Sequence, residues 1–266
     1  MIHPTTAQFD ADDALDRSGR QRHFYDEECD PEFEIARPHN CGRVYEYLIE
    51  TKFRTAVGLL GFPLGDRTVL EICAGSGMMA EKFARAGATV TATDFSPAAI
   101  VRASERARRF GFAVRLTSAD AEQLPFSDRS FDVVAVHDGL HHLEHPDRAI
   151  REMARVARHA VLIMDPARAA LTRLAVRLNI AEDVEEAGNE VKRLAPREVA
   201  SVLKECGFGE VAWRRTLMYY PHRPWRWLRV FDNAPMYFAF RVAFGVVNLG
   251  LGRWGNKLSL VARRIR

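Results

Sequence analysis

A short apolar strand that runs directly into two glycines constrains this chain more than any other segment. The strand pattern, VLEI at residues 69–72, contains a single acid and is followed by Cys-Ala-Gly-Ser-Gly at residues 73–77. Glycine lacks a Cβ, so Gly75 and Gly77 allow a sharp turn and let a ligand approach the main chain. A helical pattern follows at residues 78–86. The segment predicts a strand, a ligand-binding loop and a helix.

The glycine spacing alone leaves two classes of cofactor open. Gly75-x-Gly77-x-x-Ala80 also satisfies the dinucleotide fingerprint. Asp94 follows about 20 residues later, where a ribose-binding acid is expected. Glu71 separates the two classes, because a carboxylate on the approach strand repels a pyrophosphate but suits a cofactor that carries an ammonium and a sulfonium group. We therefore expect S-adenosylmethionine rather than NAD.

The strand and helix patterns continue to alternate after the glycine loop. Further strands are predicted at residues 88–94, 112–117 and 131–138. Asp94 ends the first of these and is placed to accept both ribose hydroxyls, while Ser96 and Pro97 provide an N-cap and a first helical residue. Asp120, between the other two strands, is placed to accept a hydrogen bond from an adenine amino group. Such alternation is typical of a doubly wound, mainly parallel α/β sheet.

These four motifs, in this order and spacing, resemble the class I S-adenosylmethionine-dependent methyltransferases, near the menaquinone and ubiquinone C-methyltransferases. The resemblance covers residues 67–208. It implies a Rossmann-like α/β fold with seven strands, mainly parallel with an antiparallel C-terminal strand, together with an N-terminal helical cap and an insertion between the last two strands. The resemblance assigns Glu71, Gly75 and Gly77 to the methionine end, Asp94 to the ribose, and Asp120 with Ala121 to the adenine; Ala74, Phe95 and His137 are further predicted cofactor contacts. Cys73 departs from the family pattern, which often has a glycine there, and we interpret it as a packing residue.

The remaining elements complete a predicted division of the chain. A fifth strand is expected at residues 160–165, a helix at 196–206, and closing antiparallel strands at 209–219 and 256–263. The predicted regions are an N-terminal segment and cap (1–60), the methyltransferase core (61–220), an aromatic and basic insertion (221–253) and the closing strand (254–266). With 266 residues and 47% hydrophobic composition, the chain can bury a substantial core.

The N-terminal segment offers candidate ligands in two possible roles. Residues 1–22 are polar without a sustained period, so we expect them to be loose or ordered only when ligand binds. A helix is expected at residues 43–60. Tyr25, Arg37 and His39 precede it, and they either reach the methionine carboxylate or the substrate, or tie this helix to the sheet.

A histidine-rich turn follows the fourth strand, where the transferred methyl group is expected. The pairs His137/His141 and His141/His145 have helical ligand spacing, but Gly139 and a proline at position 146 favour a loop, so no metal site is predicted. His141 and His142 either orient the turn or supply a general base, because imidazole titrates near neutral pH.

The C-terminal region differs from the rest in charge and hydropathy. Eleven basic residues and one acid, Asp232, lie between Arg214 and Arg266, a local formal charge of +10. Since the whole chain carries +3, the other residues carry −7. Residues 236–251 are nearly uncharged but fall short of the ~20 residues that span a bilayer, and Gly245 and Gly250 interrupt them. We expect an interfacial anchor for anionic membrane or a lid over a hydrophobic substrate, with a dimer or core face as the alternative.

Three function classes fit these features, and a methyltransferase for a small, hydrophobic or lipid-like metabolite is the first. In it, an acceptor oxygen, nitrogen or carbon attacks the sulfonium methyl group in line by direct displacement, which gives S-adenosylhomocysteine. A nucleic-acid (RNA) methyltransferase is the second class, disfavoured because the sequence shows no RNA-binding module, so no nucleic acid is expected as a partner. An NAD-dependent oxidoreductase is the third. The four cysteines lack CxxC spacing and the N-terminus does not resemble a signal peptide, which predicts a cytoplasmic protein, with the possible membrane contact on the inner face.

Overall fold

A seven-stranded sheet forms the centre of the protein in a computed structural model, which describes residues 17–170, 172, 188–189, 191–220 and 222–265. The strands are β1 (Thr68–Ile72), β2 (Thr89–Asp94), β3 (Arg115–Ser118), β4 (Phe131–His137), β5 (Ala157–Pro166), β6 (Glu210–Thr216) and β7 (Lys257–Arg263). Their order is β3-β2-β1-β4-β5-β7-β6. Strands β1 to β5 pair in parallel, and β7 is antiparallel to both β5 and β6. The mainly parallel sheet with an antiparallel C-terminal strand is confirmed.

Eight helices surround or extend this sheet in the described part of the chain. They are α1 (Arg17–His23), α2 (Pro31–Ala36), α3 (Arg43–Leu60), α4 (Met78–Arg85), α5 (Pro97–Phe110), α6 (Pro146–Val156), α7 (Pro196–Glu205) and α8 (Ala234–Leu251). A π-helical turn, Phe24–Glu28, continues α1, and 3₁₀ turns form at Leu140–His142, Arg226–Asp232 and Gly252–Trp254. Helix α5 begins as predicted, because the Ser96 hydroxyl accepts the amide of Ala99 at 3.0 Å.

The central strands are buried on both faces, which explains their continuous apolar sequences. Successive side chains of a strand point to opposite faces of the sheet. On β4, Val133 and Ala135 therefore enter one core with α3 and α4, whereas Val134 and Val136 enter the other with α6 and α7. Helices thus cover both faces of the sheet, which leaves the ends of the strands accessible for a functional site.

The N-terminal segment is more ordered than the sequence predicted. Residues 17–23 form α1, although 1–22 were expected to be loose; residues 1–16 lie outside the described part. The Arg17 guanidinium donates to the carbonyls of His141 and His142, at 2.8 and 3.1 Å. This long-range contact stabilises a helix whose local sequence has no amphipathic period.

The expectation that glycines interrupt the C-terminal apolar run is wrong. Helix α8 continues through Gly245 and Gly250. A glycine inside a helix costs only about 1 kcal/mol relative to alanine, and packing of Tyr237, Phe240 and Phe244 against Tyr47 of α3 offsets this cost. The run is also longer than predicted: Ala234–Trp254 is long and apolar enough, by length and composition alone, to cross a membrane.

Candidate active site

A cavity of about 470 Å³ opens at the carboxyl edge of the parallel strands. The loops after β1, β2 and β4 meet at this edge, as in other open α/β sheets. Because β7 is antiparallel, its first residue, Lys257, lies at the same edge, paired with Pro166 at the end of β5. The cavity has two parts. The cofactor half follows β1 and β2 and contains Glu71, Cys73, Ala74, Gly75, Asp94 and Phe95; the acceptor half follows β4 to β7 and contains Asp138, His141, Tyr220 and Lys257.

The glycine loop is shaped by left-handed backbone conformations. Cys73, Gly75 and Gly77 have φ of 51°, 54° and 77°. Cys73 packs against Gly139 so closely that a Cβ on Gly139 would lie 2.5 Å from the Cys73 Cβ. Burial is the main cause that raises the pKa of the Cys73 thiol well above its usual value, and the nearby carboxylates add to this shift. Cys73 is therefore a protonated packing residue that joins the glycine loop to the histidine turn.

Asp94 links β2 to the glycine loop. One carboxylate oxygen accepts the Gly75 amide at 2.8 Å and the other accepts the Ser96 amide at 3.0 Å. Each oxygen keeps a second lone pair for a ligand hydroxyl. Burial raises the pKa of Asp94, and the two amides oppose that shift. The side chain is held in one orientation at the cavity wall, where a ribose is expected.

Glu71 is a buried acid whose surroundings favour its neutral form. The residue is 2% exposed, and its Oε2 has no hydrogen-bond partner among the described residues. Burial raises the pKa of Glu71 to about 8, so the carboxyl group is protonated at neutral pH in the ligand-free protein. A cationic ligand group beside it would favour the ionised form. This unsatisfied acid on the cavity wall fits a cofactor with an ammonium and a sulfonium group.

The histidine turn is fixed by Asp165, at the end of β5. Asp165 Oδ2 accepts the amides of Gly139 and Leu140, both at 3.0 Å, and Oδ1 lies 2.8 Å from Nδ1 of His141. The His142 ring packs on His141 with 3.9 Å between centroids. In the described part of the chain, no group of three His, Cys, Asp or Glu side chains is placed to hold a metal ion. The turn therefore presents an Asp–His pair to the cavity.

A buried polar cluster of Lys52, Asp138 and Tyr220 lies beside the histidine turn. The Lys52 ammonium is 2.6 Å from Asp138 Oδ1 and 2.9 Å from the Tyr220 hydroxyl, which donates to Asp138 Oδ2 at 2.7 Å. Burial lowers the pKa of Lys52 to about 8, against the opposing effect of Asp138. Burial alone would raise the pKa of Asp138, but Lys257 and Lys52 hold it well below its usual value. Burial also lowers the pKa of the neighbouring His137 well below its usual value, which leaves that imidazole neutral.

Sequence reasoning missed this cluster for two reasons. First, Lys52 lies within the predicted helix α3, where a single lysine does not by itself indicate a site. Second, its partners Asp138 and Tyr220 are 86 and 168 residues away in the sequence. One available signal was the single lysine between Leu48, Ile49 and Phe53, all on the apolar face of that helix. A charged residue in such a position is almost always paired.

The N-terminal candidates take different positions. Tyr25 lines the cavity, and its ring lies 6.3 Å from that of His142. Arg37 also lines it, 3.2 Å from Glu34, which in turn contacts His222 at 2.6 Å. Burial would raise the pKa of Glu34, but Arg37 and His222 lower it to about 2. His39 does not line the cavity; it pairs with Glu81 at 3.1 Å.

Most of the predicted site residues line this cavity, and three do not. Those that line it are Tyr25, Arg37, Glu71, Ala74, Gly75, Asp94, Phe95, His137, His141 and His142. Gly77 instead begins α4 and lies close to Ala103. Asp120 is exposed and caps its own turn by accepting the Glu122 amide at 2.8 Å, while Ala121 packs in the core. The adenine-binding role of Asp120 and Ala121 stays a prediction.

Comparisons with known proteins agree with this geometry. Residues 70–164 match the family model described as a methyltransferase domain. A ubiquinone/menaquinone biosynthesis C-methyltransferase of Bdellovibrio bacteriovorus is 35% identical over 106 residues, which are 39% of this chain and 45% of that protein. A demethylmenaquinone methyltransferase of Thermobifida fusca is 41% identical over 93 residues, 34% of this chain and 39% of that protein. The matched region thus spans about two fifths of the length of these relatives.

A solved structure extends the similarity of fold to nearly the whole chain. The magnesium protoporphyrin IX methyltransferase of Synechocystis PCC 6803, crystallised with bound SAH, has a TM-score of 0.63 and 17% sequence identity, over 94% of this chain and 100% of that one. At this identity the likeness concerns the fold. Residues 70–164 of the chain form a methyltransferase domain of the class I S-adenosylmethionine-dependent type, with S-adenosylmethionine as its cofactor.

Proposed function

We propose that this protein transfers a methyl group from S-adenosylmethionine to a small hydrophobic or lipid-like molecule. One observation carries the proposal: a single cavity joins the glycine loop and Asp94 to the histidine turn and then to the aromatic side chains Tyr219, Tyr220 and Trp225. A cofactor in the first part and an apolar acceptor in the second would meet at the histidine turn.

The residues of the cofactor half act by binding and orientation. S-adenosylmethionine would supply a methyl group on a positively charged sulfur, and a nucleophilic atom that bonds to this methyl carbon would release S-adenosylhomocysteine as the leaving group. Glu71 and Asp94 would hold the amino and ribose groups, and the turn at Gly75 brings backbone close to the ligand. Positioning of this kind provides most of the rate in a reaction whose leaving group is already activated.

His141 is the general base in this proposal. Its Nδ1 faces Asp165, which favours the tautomer with hydrogen on Nδ1 and leaves Nε2 as the proton-accepting nitrogen. The buried Asp165 carboxylate also stabilises the imidazolium that forms when the proton arrives. His142 packs on this ring and orients it.

The apolar acceptor is supported by helix α8, which is hydrophobic on all sides. One face, with Tyr237, Phe240 and Phe244, packs on Tyr47. The opposite face exposes an apolar row consisting of Phe238, Val242, Val246 and Leu249, of which Leu249 is 91% exposed. A helix that is apolar all round is normally covered by protein or by lipid. We propose that lipid covers this row.

The flanks of α8 are suited to a membrane surface. Trp225, Trp227 and Trp254 are exposed near its two ends, and Arg253 stacks on Trp254 at 3.8 Å. Tryptophan and arginine favour the headgroup layer, especially when the lipids are anionic. Because α8 packs along α3, we propose that it lies in the interface and does not cross the bilayer. The cytoplasmic leaflet is the membrane surface expected for it.

A transfer assay tests the enzymatic part of this proposal. The protein is incubated with S-adenosylmethionine labelled in its methyl group and with a lipid extract, and the label in the organic phase is measured. We expect labelled product with the wild type and about 10²-fold less with His141→Gln. Label that enters only protein or RNA would contradict the proposed acceptor class.

Sedimentation with liposomes tests the membrane contact. Wild-type protein should sediment with vesicles that contain anionic lipid and be released at high salt, because headgroup attraction of about 1 kcal/mol per basic residue is screened. Leu249→Asp with Val246→Asp should abolish binding. Val101→Asp, at an exposed valine of α5, is the matched control and should bind as the wild type does. Unchanged binding of the double variant would exclude α8 as the contact.

A further inference from the structure

The acceptor half of the cavity carries more positive than negative charge. Among the described residues, the cavity is lined by four cations, Arg37, Arg193, Arg223 and Lys257, and by four carboxyl groups, Glu34, Glu71, Asp94 and Asp138. Two of the carboxyl groups, Glu71 and Asp94, belong to the cofactor half. Arg37 pairs with Glu34, which leaves Asp138 as the described carboxylate beside Lys257 and, behind the cavity wall, Lys52.

Among these cations, Lys257 faces a carboxylate, Asp138, that already pairs with Lys52. Its Nζ is 3.7 Å from Asp138 Oδ1, whereas the Lys52 ammonium is 2.6 Å from the same oxygen. The other carboxylate oxygen of Asp138 accepts the Tyr220 hydroxyl. Lys52 and Lys257 thus share one carboxylate, so this group of three side chains carries one more positive than negative charge.

The remaining cations have other contacts. Arg37 is 3.2 Å from Glu34, and Arg223 stacks over the Phe33 ring at 5.7 Å. Lys257 instead lies 4.4 Å from the centroid of the Tyr220 ring, with its side chain 14% exposed, at the edge where β5 and β7 meet. The Tyr220 ring therefore orients an ammonium group inside the cavity and close to the histidine turn.

We propose that the methyl acceptor carries an oxygen that is ionised at neutral pH, such as a carboxylate, and that Lys257 binds it. An excess cation in a partly buried site is costly, and an anionic ligand group offsets that cost by a charge-assisted hydrogen bond. The inference rests on the proposed function, since it concerns its acceptor. Together with the aromatic side chains Tyr219, Tyr220 and Trp225 of the cavity, this ionised oxygen defines the substrate class as an amphipathic acid. Lys52 and Asp138 act as positioning residues.

A pair of probes of equal shape and different charge tests this inference. The holoprotein, saturated with S-adenosylhomocysteine, is titrated with 2-naphthoate and with 2-naphthamide in a calorimeter. We expect the wild type to bind the carboxylate about tenfold more tightly or better, as an ion pair in a poorly hydrated site predicts. Lys257→Met should reduce this ratio to about one and leave the naphthamide affinity as it is, and Lys257→Arg should restore the preference.

The controls separate this inference from the proposed function. Lys204→Met, at an exposed lysine of α7, should keep the wild-type preference. Binding of S-adenosylhomocysteine by every variant shows that the fold and the cofactor half are intact. Failure of 2-naphthoate to bind, equal affinity for the two probes, or a preference that survives Lys257→Met would overturn the inference. Loss of S-adenosylhomocysteine binding by the wild type would instead overturn the proposed function.

Discussion

The two halves of the cavity are built in different ways. In the cofactor half, main-chain turns and contacts over short distances in the sequence hold the site: Asp94 accepts amides 19 and 2 residues away. In the acceptor half, side chains from distant segments hold one another, and Lys52 bonds partners 86 and 168 residues away. The cofactor half is thus encoded mainly by neighbouring residues, whereas the acceptor half depends on contacts that only the folded chain brings together.

The largest expected effect concerns the stability of the acceptor half. Lys52→Met leaves Asp138 without its closest cation, and breaking a buried ion pair costs about 3–5 kcal/mol. We expect the free energy of unfolding, measured with urea, to fall by that amount. Lys82→Met, which breaks the more exposed pair with Glu50, is the matched control and should cost less than about 1 kcal/mol. Similar losses for the two variants would show that the cluster adds no special stability.

The cofactor half is expected to gain stability when its buried acid is removed. The pKa of Glu71 is raised from 4.5 to about 8 in the folded protein, so its protonated form stabilises the fold fully below pH 4.5, and this contribution is lost as the pH rises through 8. Glu71→Gln should therefore match the wild type near pH 4 and exceed it at pH 8.5 by on the order of 3 kcal/mol.

The same variant should bind S-adenosylhomocysteine more weakly, because the ammonium group loses its carboxylate. Urea titrations across this pH range, with calorimetry of the ligand, measure both effects. Glu144→Gln, at an exposed glutamate, controls for the loss of charge and should change neither. A Glu71→Gln protein that is destabilised at pH 8.5 would show that the acid serves the fold and not the ligand.

His141 should separate turnover from cofactor binding. His141→Gln removes the proton acceptor and should lower the methyl-transfer rate by about 10²-fold, with the affinity for S-adenosylhomocysteine nearly unchanged. His145→Gln, at the exposed end of the same turn, should retain full activity. If affinity and stability fall together in His141→Gln, the residue orients the turn and another group takes the proton. Activity should also survive chelation of metal ions.

The sequence predicted the local backbone structure around Gly75, Asp94 and Ser96 because the information for it is local. Glycines at positive φ, an acid at the end of a strand and a Ser-Pro helix start are all visible in neighbouring residues, and the structure places Gly75, Asp94 and Ser96 accordingly. The acceptor half was predicted only as a histidine-rich turn. Nothing near His141 in the sequence indicates that Asp165 orients its ring, because that contact depends on the pairing of β4 with β5.

The C-terminal helix α8 also shows that local sequence cannot predict a structure that tertiary contacts decide. A local rule, that glycines interrupt an apolar run, failed at Gly245 and Gly250 because packing on α3 decides the conformation. Local preferences of about 1 kcal/mol are decisive only where tertiary contacts are absent.

The smallest of the expected effects compares two acids of the cofactor half. Asp94→Ala should weaken S-adenosylhomocysteine binding by about tenfold or more, because two hydrogen bonds of roughly 1 kcal/mol each are lost. Asp120→Ala should cost less, since Asp120 is exposed and one of its oxygens already accepts the Glu122 amide. Equal losses at the two positions would restore the adenine-binding role predicted for Asp120.

The choice of cofactor is the claim on which both halves depend. Calorimetric titration of the wild-type protein with S-adenosylhomocysteine and, separately, with NAD⁺ tests it most directly. We expect saturable one-to-one binding of S-adenosylhomocysteine and no measurable binding of NAD⁺, because the buried Glu71 can ionise beside an ammonium group, whereas a pyrophosphate offers it no cation. Binding of NAD⁺ with equal or higher affinity, or no heat with S-adenosylhomocysteine, would contradict the account.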